Sequence, residues 1–464
     1  MTFSHDTYIS PFTWRYGSPE MRRIWSEENK RIQMRRVWIA LATAQQQAGL
    51  VTAAQLADLE SQADNIDIPR ALEIEQETRH DVMAEIRTYA EQCLIGGGII
   101  HWGATSADVN DNVYGIRIQA SLQQLEMRMV ELLSVVADKI EMTADLVVMA
   151  HTHIQPAEPS TLGYRFAVYG QDLLADFEDL QRMIQRVRGK GFKGAVGTQA
   201  SYDEILSGTG ITAQQMEFVA MDQLGIEAFP ISTQTYTRQQ DVRVMNVLAG
   251  IAGSLHKWAM DFRVLQSPPF GEWAEPFGKH QVGSSAMPFK RNPINTENIC
   301  SLARHIASLP GIAWDNGSQA ILERSLDDSA NRRVFMPEGF LAADEIVSRA
   351  TRVFRDMVID EKQIGRNLET YGPFAATERV LMALVAQGAS RQDGHEWLRE
   401  LSLEAWQTVR EGRPNPLVDL VSSNRELQNY LSQDELSELM QADAHVGTAA
   451  ARARDMAELI RSTI

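Results

Sequence analysis

Cysteine is almost missing from this chain. The 464 residues hold only Cys93 and Cys300, too few for a disulfide framework or a cysteine-rich metal site. The pair fits a reducing cytoplasm. An excess of positive charge is missing too. Lys and Arg number 44 against 61 Asp and Glu, a formal net charge of −17, which argues against a nucleic-acid or anionic-membrane surface. No uncharged apolar run reaches the ~18 residues of a membrane span. Met1 to Trp14 lacks the basic-then-apolar order of a signal peptide. Proline is absent between Pro159 and Pro230, and only Pro230 separates Pro159 from Pro268. Long helices are allowed in such spans. At 44% hydrophobic and 23% charged residues, the composition excludes disorder and supports a sizeable core. The expectation is a soluble, cytoplasmic, multi-part globular protein.

Apolar residues repeat at 4-3 spacing in three places. The first stripe is Ile118, Leu122, Leu125, Met129, Leu132 and Val136. The second is Phe166, Gly170, Leu173, Phe177, Leu180, Ile184 and Val187. The third is Val244, Leu248, Ile251, Leu255, Trp258, Phe262 and Leu265. This spacing holds one helix stripe against its neighbours. It predicts helices of about 25–35 residues, or about 40–50 Å. Shorter helical patterns run from Glu28 to Gln47, Ala53 to Gln62 and Ile74 to Ala90, and again after Asp360. Strand signals are sparse. The pattern predicts an all-α chain in three parts: an N-terminal helical domain (1–106), a central long-helix bundle (107–359) and a C-terminal helical domain (360–464).

Some signals look chemical without being so. Gly189, Gly191 and Gly194 match G-x-G-x-x-G, but they close a long helix rather than open one after a strand, so they read as a helix stop and loop. His395 and His445 stand alone, with no zinc-binding spacing. Trp258 and Phe262 read as core.

Three clusters carry chemistry. The first is Arg79-His80-Asp81 with the segment from His101 to Asn112, in which Thr105-Ser106 precedes the first long helix. Ser106 or Asp108 is placed to cap that helix, and its N-terminus could present N–H groups to an anion. The second runs from His151 to Gly163 and holds Thr152, His153, Pro156 and Pro159. Imidazoles there are suited to general acid work. The third is Gly283-Ser284-Ser285-Ala286-Met287-Pro288-Phe289-Lys290-Arg291-Asn292-Pro293, followed by Glu297. Small residues leading into a Lys-Arg pair suit a loop that closes over an anion. A fourth stretch, Arg324 to Arg333, puts three arginines in ten residues of an acidic chain. It reads either as an anion site or as an exposed helix with ion pairs.

Taken in this order, the clusters resemble the fumarase/aspartase superfamily. Gly283 to Pro293 fit its signature G-S-S-x-M-P-x-K-x-N-P at every fixed position. Arg79 to Ala84, Gly103 to Ser106, Gly197 to Ser201, Gln234 to Arg238 and Leu326 to Arg333 resemble the adenylosuccinate lyase branch rather than sisters such as argininosuccinate lyase. Trp14, Trp102 and Asn298 depart from that branch's usual residues.

The resemblance implies a homotetramer with a twenty-helix core and active sites shared between subunits. It implies β-elimination of fumarate from adenylosuccinate and from the succinyl-carboxamide ribotide of purine synthesis, with no metal or organic cofactor. By motif alignment Ser284 is the general base, although the residues alone do not separate it from Ser285. The same resemblance implies that His153 is the general acid, that Lys290 stabilises developing charge, that Glu297 orients or tunes His153 by charge, and that His80 assists binding. Arg15, Tyr16, Arg79, Asp81, Thr105, Ser106, Thr152, Gln234, Asn292, Arg324, Ser329 and Arg333 match substrate-binding positions.

Overall fold

The computed structural model describes residues 6–287 and 289–464, so Pro288 of the third cluster lies outside the described residues. Helices α1 (Glu27–Gln47), α2 (Ala53–Ser61), α3 (Ile68–Thr78) and α4 (Asp81–Gln92) lead into α5 (Ser106–Met142). Strands β1 (Val147–Thr152) and β2 (Gln155–Thr161) follow, then α6 (Leu162–Arg186), α7 (Gln239–Gln266), α8 (Ile294–Ser318) and α9 (Asp327–Asp356). The C-terminal part includes α10 (Glu361–Ala386), α11 (Arg391–Arg410) and α12 (Ala449–Thr463). The fold is all-α. Among the described residues its strands are β1–β2 and a two-residue pair joining Trp273–Ala274 to Val358–Ile359.

Contacts divide the chain into two compact units. One holds residues 6–129, 176–253 and 301–348; the other holds 130–175, 254–300 and 349–464. In the first, Ile118, Leu122 and Leu125 of α5, Phe177 and Leu180 of α6, and Val244, Leu248 and Ile251 of α7 are all buried. Gly339 of α9 lets Leu309 and Met245 approach to about the distance a Cβ would occupy, each within 3.1 Å of it. In the second unit, Trp258 stacks on Phe354 with ring centroids 4.1 Å apart, and Phe166 stacks on Trp273 at 5.1 Å. Each such aromatic contributes roughly 1.5–3 kcal/mol by leaving water. A further cluster in that unit joins Val380 and Leu384 to Leu398, Val421, Leu427 and Leu436. The three 4-3 stripes are therefore core. Ile184 is the exception, being only half-buried.

Two long helices escaped the sequence pattern. α8 and α9 carry Pro310 and Pro337 in their interiors, where a proline normally argues for a break. The pattern from Ile74 to Ala90 was one helix too few. Arg79 takes a left-handed conformation (φ 53°), ending α3, and His80 starts α4 by accepting the Met83 N–H on its Nδ1 at 3.3 Å. The second cluster forms the β1–β2 ribbon, although strand signals are sparse in the sequence.

Candidate active site

Four connections of the first unit open on one cleft of about 920 Å3. The α3–α4 junction supplies Arg79, His80 and Asp81, the start of α5 supplies Thr105 and Ser106, and Gln234 comes from the segment before α7. Arg324, Ser329 and Arg333 come from the approach to α9 and its first turns. These are nine of the seventeen residues singled out from the sequence. Arg15 and Tyr16, of the same unit, lie outside the cleft lining. Their side chains belong to an N-terminal aromatic patch in which the Arg15 guanidinium lies over the Trp14 and Tyr16 rings, and Phe12 packs against Tyr16 and His305.

The charges in this lining balance. Arg79, Arg324 and Arg333 face Glu75, Asp81 and Glu323, which leaves the cleft far less negative than the chain as a whole. Arg333 donates to Asp81 at 2.9 Å, and Lys30 lies 3.8 Å from the same carboxylate. Burial works against ionisation of Asp81. Lys30, Arg333 and the Val82 N–H outweigh it and hold the carboxyl below its ordinary range. Arg324 donates to Gln234 at 3.2 Å. The fourth stretch thus divides: Arg324 and Arg333 line the cleft, while Arg332 turns inward to Asp241 (2.8 Å) and the Tyr236 hydroxyl (2.7 Å).

Neither Ser106 nor Asp108 caps α5 from outside. Ser106 is its first residue, and the Asp108 carboxylate reaches back one turn to accept the Thr105 N–H at 3.0 Å. Asp108 is fully buried. It also accepts Lys190 Nζ at 2.5 Å, the Tyr202 hydroxyl at 2.9 Å, and the N–H groups of Lys193 and Gly194 at 3.2 Å. The glycine-rich loop after α6 does form an N–H cradle, then, and the chain's own carboxylate fills it. A Cβ on Gly189 would meet Asn112 Oδ1 at 2.5 Å, and Gly191 needs φ +84°. Both glycines serve this internal packing.

The other six candidates belong to the second unit. His153 and Thr152 sit at the tip of the β1–β2 ribbon. Thr152 pairs with Gln155, leaving His153 (φ 55°) and Ile154 (φ 60°) as a two-residue turn. Positive φ at both central positions marks a type I′ turn, usually made by Asn and Gly. A β-branched residue there is strained. The ribbon is irregular between Met149 and His151, and Pro156 and Pro159 lie on β2. β2 has a partner on one side only, and edge strands are where prolines are tolerated. Arg165 of α6 anchors the ribbon through Met149 O (2.8 Å) and the buried Glu272 carboxylate (2.7 Å). His151 packs edge-on against Phe270, and burial lowers its pKa.

Ser284, Lys290 and Asn292 lie between α7 and α8. Ser284 Oγ accepts the N–H of Ala286 at 3.3 Å and of Met287 at 3.1 Å. Asn292 Nδ2 donates to Gly283 O at 3.1 Å. A Cβ on Gly283 would lie 2.1 Å from Lys290 O, so only glycine fits. Glu297 stands in the first turn of α8, with Arg263 4.0 Å away. Among the described residues, no three His, Cys, Asp or Glu side chains gather as a metal site would need.

Residues 6–308 match the family model described as Lyase, and residues 373–455 match that of the adenylosuccinate lyase C-terminus. The adenylosuccinate lyase of Schistosoma mansoni is 38% identical over 419 residues, 89% of this chain and 87% of its own. Those of Saccharomyces cerevisiae (37% over 451 residues, 96% and 93% covered) and Archaeoglobus fulgidus (34% over 446 residues, 96% and 97%) extend the match to nearly the whole length. The chain belongs to the adenylosuccinate lyase family. It is a lyase. The fold likeness is wider than the family. A 3-carboxy-cis,cis-muconate lactonizing enzyme from Pseudomonas putida superposes with a TM-score of 0.84 at 24% identity, covering 97% of this chain and 99% of its own. A fumarate lyase from a Mesorhizobium species gives 0.83 at 22%, with the same coverage.

For an adenylosuccinate lyase family member, sequence reasoning passed over some of what surrounds the site. Asn110 lines the cleft one helical turn beyond Ser106, and its i+4 spacing was the available signal. His101, in the first cluster, has a role its local sequence does not show. It adopts φ 71°, and its Nδ1 accepts the Trp38 Nε1–H at 3.1 Å. Burial brings its pKa down to about 4, so it is a neutral imidazole with the proton on Nε2.

Proposed function

We propose that the chain eliminates fumarate from adenylosuccinate, leaving AMP, and from the succinyl-carboxamide ribotide of purine synthesis, with Ser284 as base and His153 as acid. The Ser284 oxygen takes the proton next to a succinyl carboxylate. The electron pair spreads onto that carboxylate, the carbon–nitrogen bond breaks, and the departing nitrogen takes a proton from His153. One proton is gained by the enzyme and one is lost.

The observation that carries this reading is the pair of N–H groups donating to Ser284 Oγ. A serine hydroxyl does not ionise unaided, and two fixed donors stabilise its alkoxide. They also favour Ser284 over Ser285, and Lys290 adds positive charge in the same loop. His153, at the exposed tip of an anchored ribbon, is free to meet a substrate, with Glu297 orienting it by charge. His80, Arg79, Asp81, Thr105, Ser106, Gln234, Arg324, Ser329 and Arg333 bind the substrate's anionic groups in the cleft. Arg15, Tyr16, Thr152 and Asn292 complete its contacts.

The same reading makes the chain a cytoplasmic homotetramer that shares its sites between subunits. Met127 of α5, Val264 of α7, and Ile312 and Trp314 of α8 expose large apolar side chains, which a second copy would cover. Among the described residues no helix is long and apolar enough to cross a membrane. The division at 1–106, 107–359 and 360–464 accords with it, since α5 begins at Ser106 and α10 at Glu361.

The test is an absorbance assay with adenylosuccinate, comparing the wild type with Ser284→Ala, Ser285→Ala and His153→Ala. Turnover lost in Ser284→Ala and His153→Ala but kept in Ser285→Ala is expected. Sedimentation should give four times the 52.0 kDa chain mass. A folded wild type that cleaves argininosuccinate and leaves adenylosuccinate intact would overturn the assignment.

A further inference from the structure

The segment carrying Ser284 leaves the short Trp273–Ala274 strand at Glu275 and enters α8 at Ile294. Both ends converge on two side chains. Gln266, the last residue of α7, accepts the Glu275 N–H on Oε1 at 2.9 Å and donates from Nε2 to Arg291 O at 3.1 Å. One amide thus ties the loop's entry to its exit. The Glu275 carboxylate, in a residue only 7% exposed, then accepts four bonds across the closure. Asn295 gives its N–H at 3.1 Å and its side-chain amide at 2.8 Å. Thr296 gives its N–H at 2.7 Å and its hydroxyl at 2.9 Å. Inside this outer closure Ser284 Oγ accepts the N–H groups of Ala286 and Met287, and Asn292 donates to Gly283 O.

We propose that Glu275 and Gln266 are positioning residues. They form a stem clamp that confines the motion of the Ser284 loop to the residues between them and fixes the first turn of α8, from which Glu297 projects. The chemistry suits a carboxylate. Four donors meet two oxygens with no proton of their own, at a helix N-terminus whose dipole favours negative charge. Glutamine would offer one oxygen and an NH2 group, turning half of the donors against a donor. Unclamped, the loop samples open conformers, and Ser284 spends less time at the reacting carbon.

The effect on turnover rests on the Ser284 reading; the effect on the loop does not. Lys279, Lys290 and Arg291 are exposed within the loop and serve as trypsin sites. The experiment compares limited trypsin nicking of the intact protein, its melting temperature, and the kinetics with adenylosuccinate for the wild type, Glu275→Gln, Glu275→Asp and Gln266→Ala. In Glu275→Gln and Gln266→Ala, loop nicking should rise by at least about fivefold, in Gln266→Ala with the melting temperature held, since cleavage follows the open population. In the same variants kcat should fall by about 10- to 100-fold while KM changes little. Glu275→Asp should recover part of both effects. Should Glu275→Gln fail to fold, Gln266→Ala decides alone, because it leaves the buried carboxylate and its four bonds in place. Wild-type nicking in the folded variants overturns the clamp. Faster nicking with no adenylosuccinate turnover in the wild type leaves the clamp standing and removes the Ser284 reading instead.

Discussion

Ile154 and His153 share a turn that neither residue favours, and the placement of the imidazole depends on it. A β-branched residue in the left-handed region costs on the order of 1–2 kcal/mol. Ile154→Gly should therefore stabilise the protein by about 1 kcal/mol against thermal unfolding. If the strain holds His153 in place, the same variant loses turnover while gaining stability; a gain in both would detach the strain from the chemistry. His101 yields a pH prediction. Its folded pKa is about 4 against an ordinary 6.5. Between these values the unfolded chain binds the proton and the folded one does not. The stability it contributes is present above pH 6.5 and lost as the pH falls towards 4. The loss is on the order of 3 kcal/mol. Asparagine tolerates positive φ and can still accept from Trp38, so His101→Asn should flatten unfolding free energy against pH over that window. Equal slopes in the two proteins would exclude His101 as the source. Ser284, His153 and His80 were legible as candidates because each stands in a local motif. Asp108 and Glu275 were not, since a carboxylate's role is set by donors lying far along the chain: Lys190 and Tyr202 for one, Asn295 and Thr296 for the other.

At the scale of elements, the 4-3 stripes placed α5, α6 and α7 with little error because such helices are fixed by one-dimensional periodicity. The same reasoning lost α8 and α9, where tertiary packing overrides the local cost of Pro310 and Pro337. It also lost the β1–β2 ribbon, whose two prolines weaken any strand signal and lie on an edge strand, where proline is tolerated. Gly163, in the second cluster, shows what joins these elements. Its φ is unremarkable, yet a Cβ there would lie 2.6 Å from Ala144 Cα and from Ile140 O. Backbone meets backbone between the end of α5 and the start of α6, and neither can give way. Gly163→Ala should destabilise the protein by roughly 1–3 kcal/mol, seen as a lower denaturant midpoint at unchanged slope. A neutral result would mean that this junction is not packed as described.

For the whole molecule, two fields act on an anionic substrate and differ in range. Adenylosuccinate carries about four negative charges and approaches a chain of net charge −17. That repulsion extends over the Debye length, about 30 Å at 0.01 M salt and about 10 Å at 0.1 M. The attraction of Arg79, Arg324 and Arg333 is local, and it is partly offset because Glu75, Asp81 and Glu323 share the lining. Added salt therefore removes the long-range repulsion first and weakens the local contacts only later. The value of kcat/KM should rise from about 0.01 M to about 0.1 M salt and fall again towards 1 M. Arg333→Gln removes one local cation and leaves Asp81 with Lys30 and the Val82 N–H. It should raise KM by about tenfold, the equivalent of about 1.4 kcal/mol, and flatten only the high-salt arm. A steady decline from the lowest salt, in wild type and variant alike, would mean that the local field dominates at every range, and that the acidic exterior does not govern substrate approach.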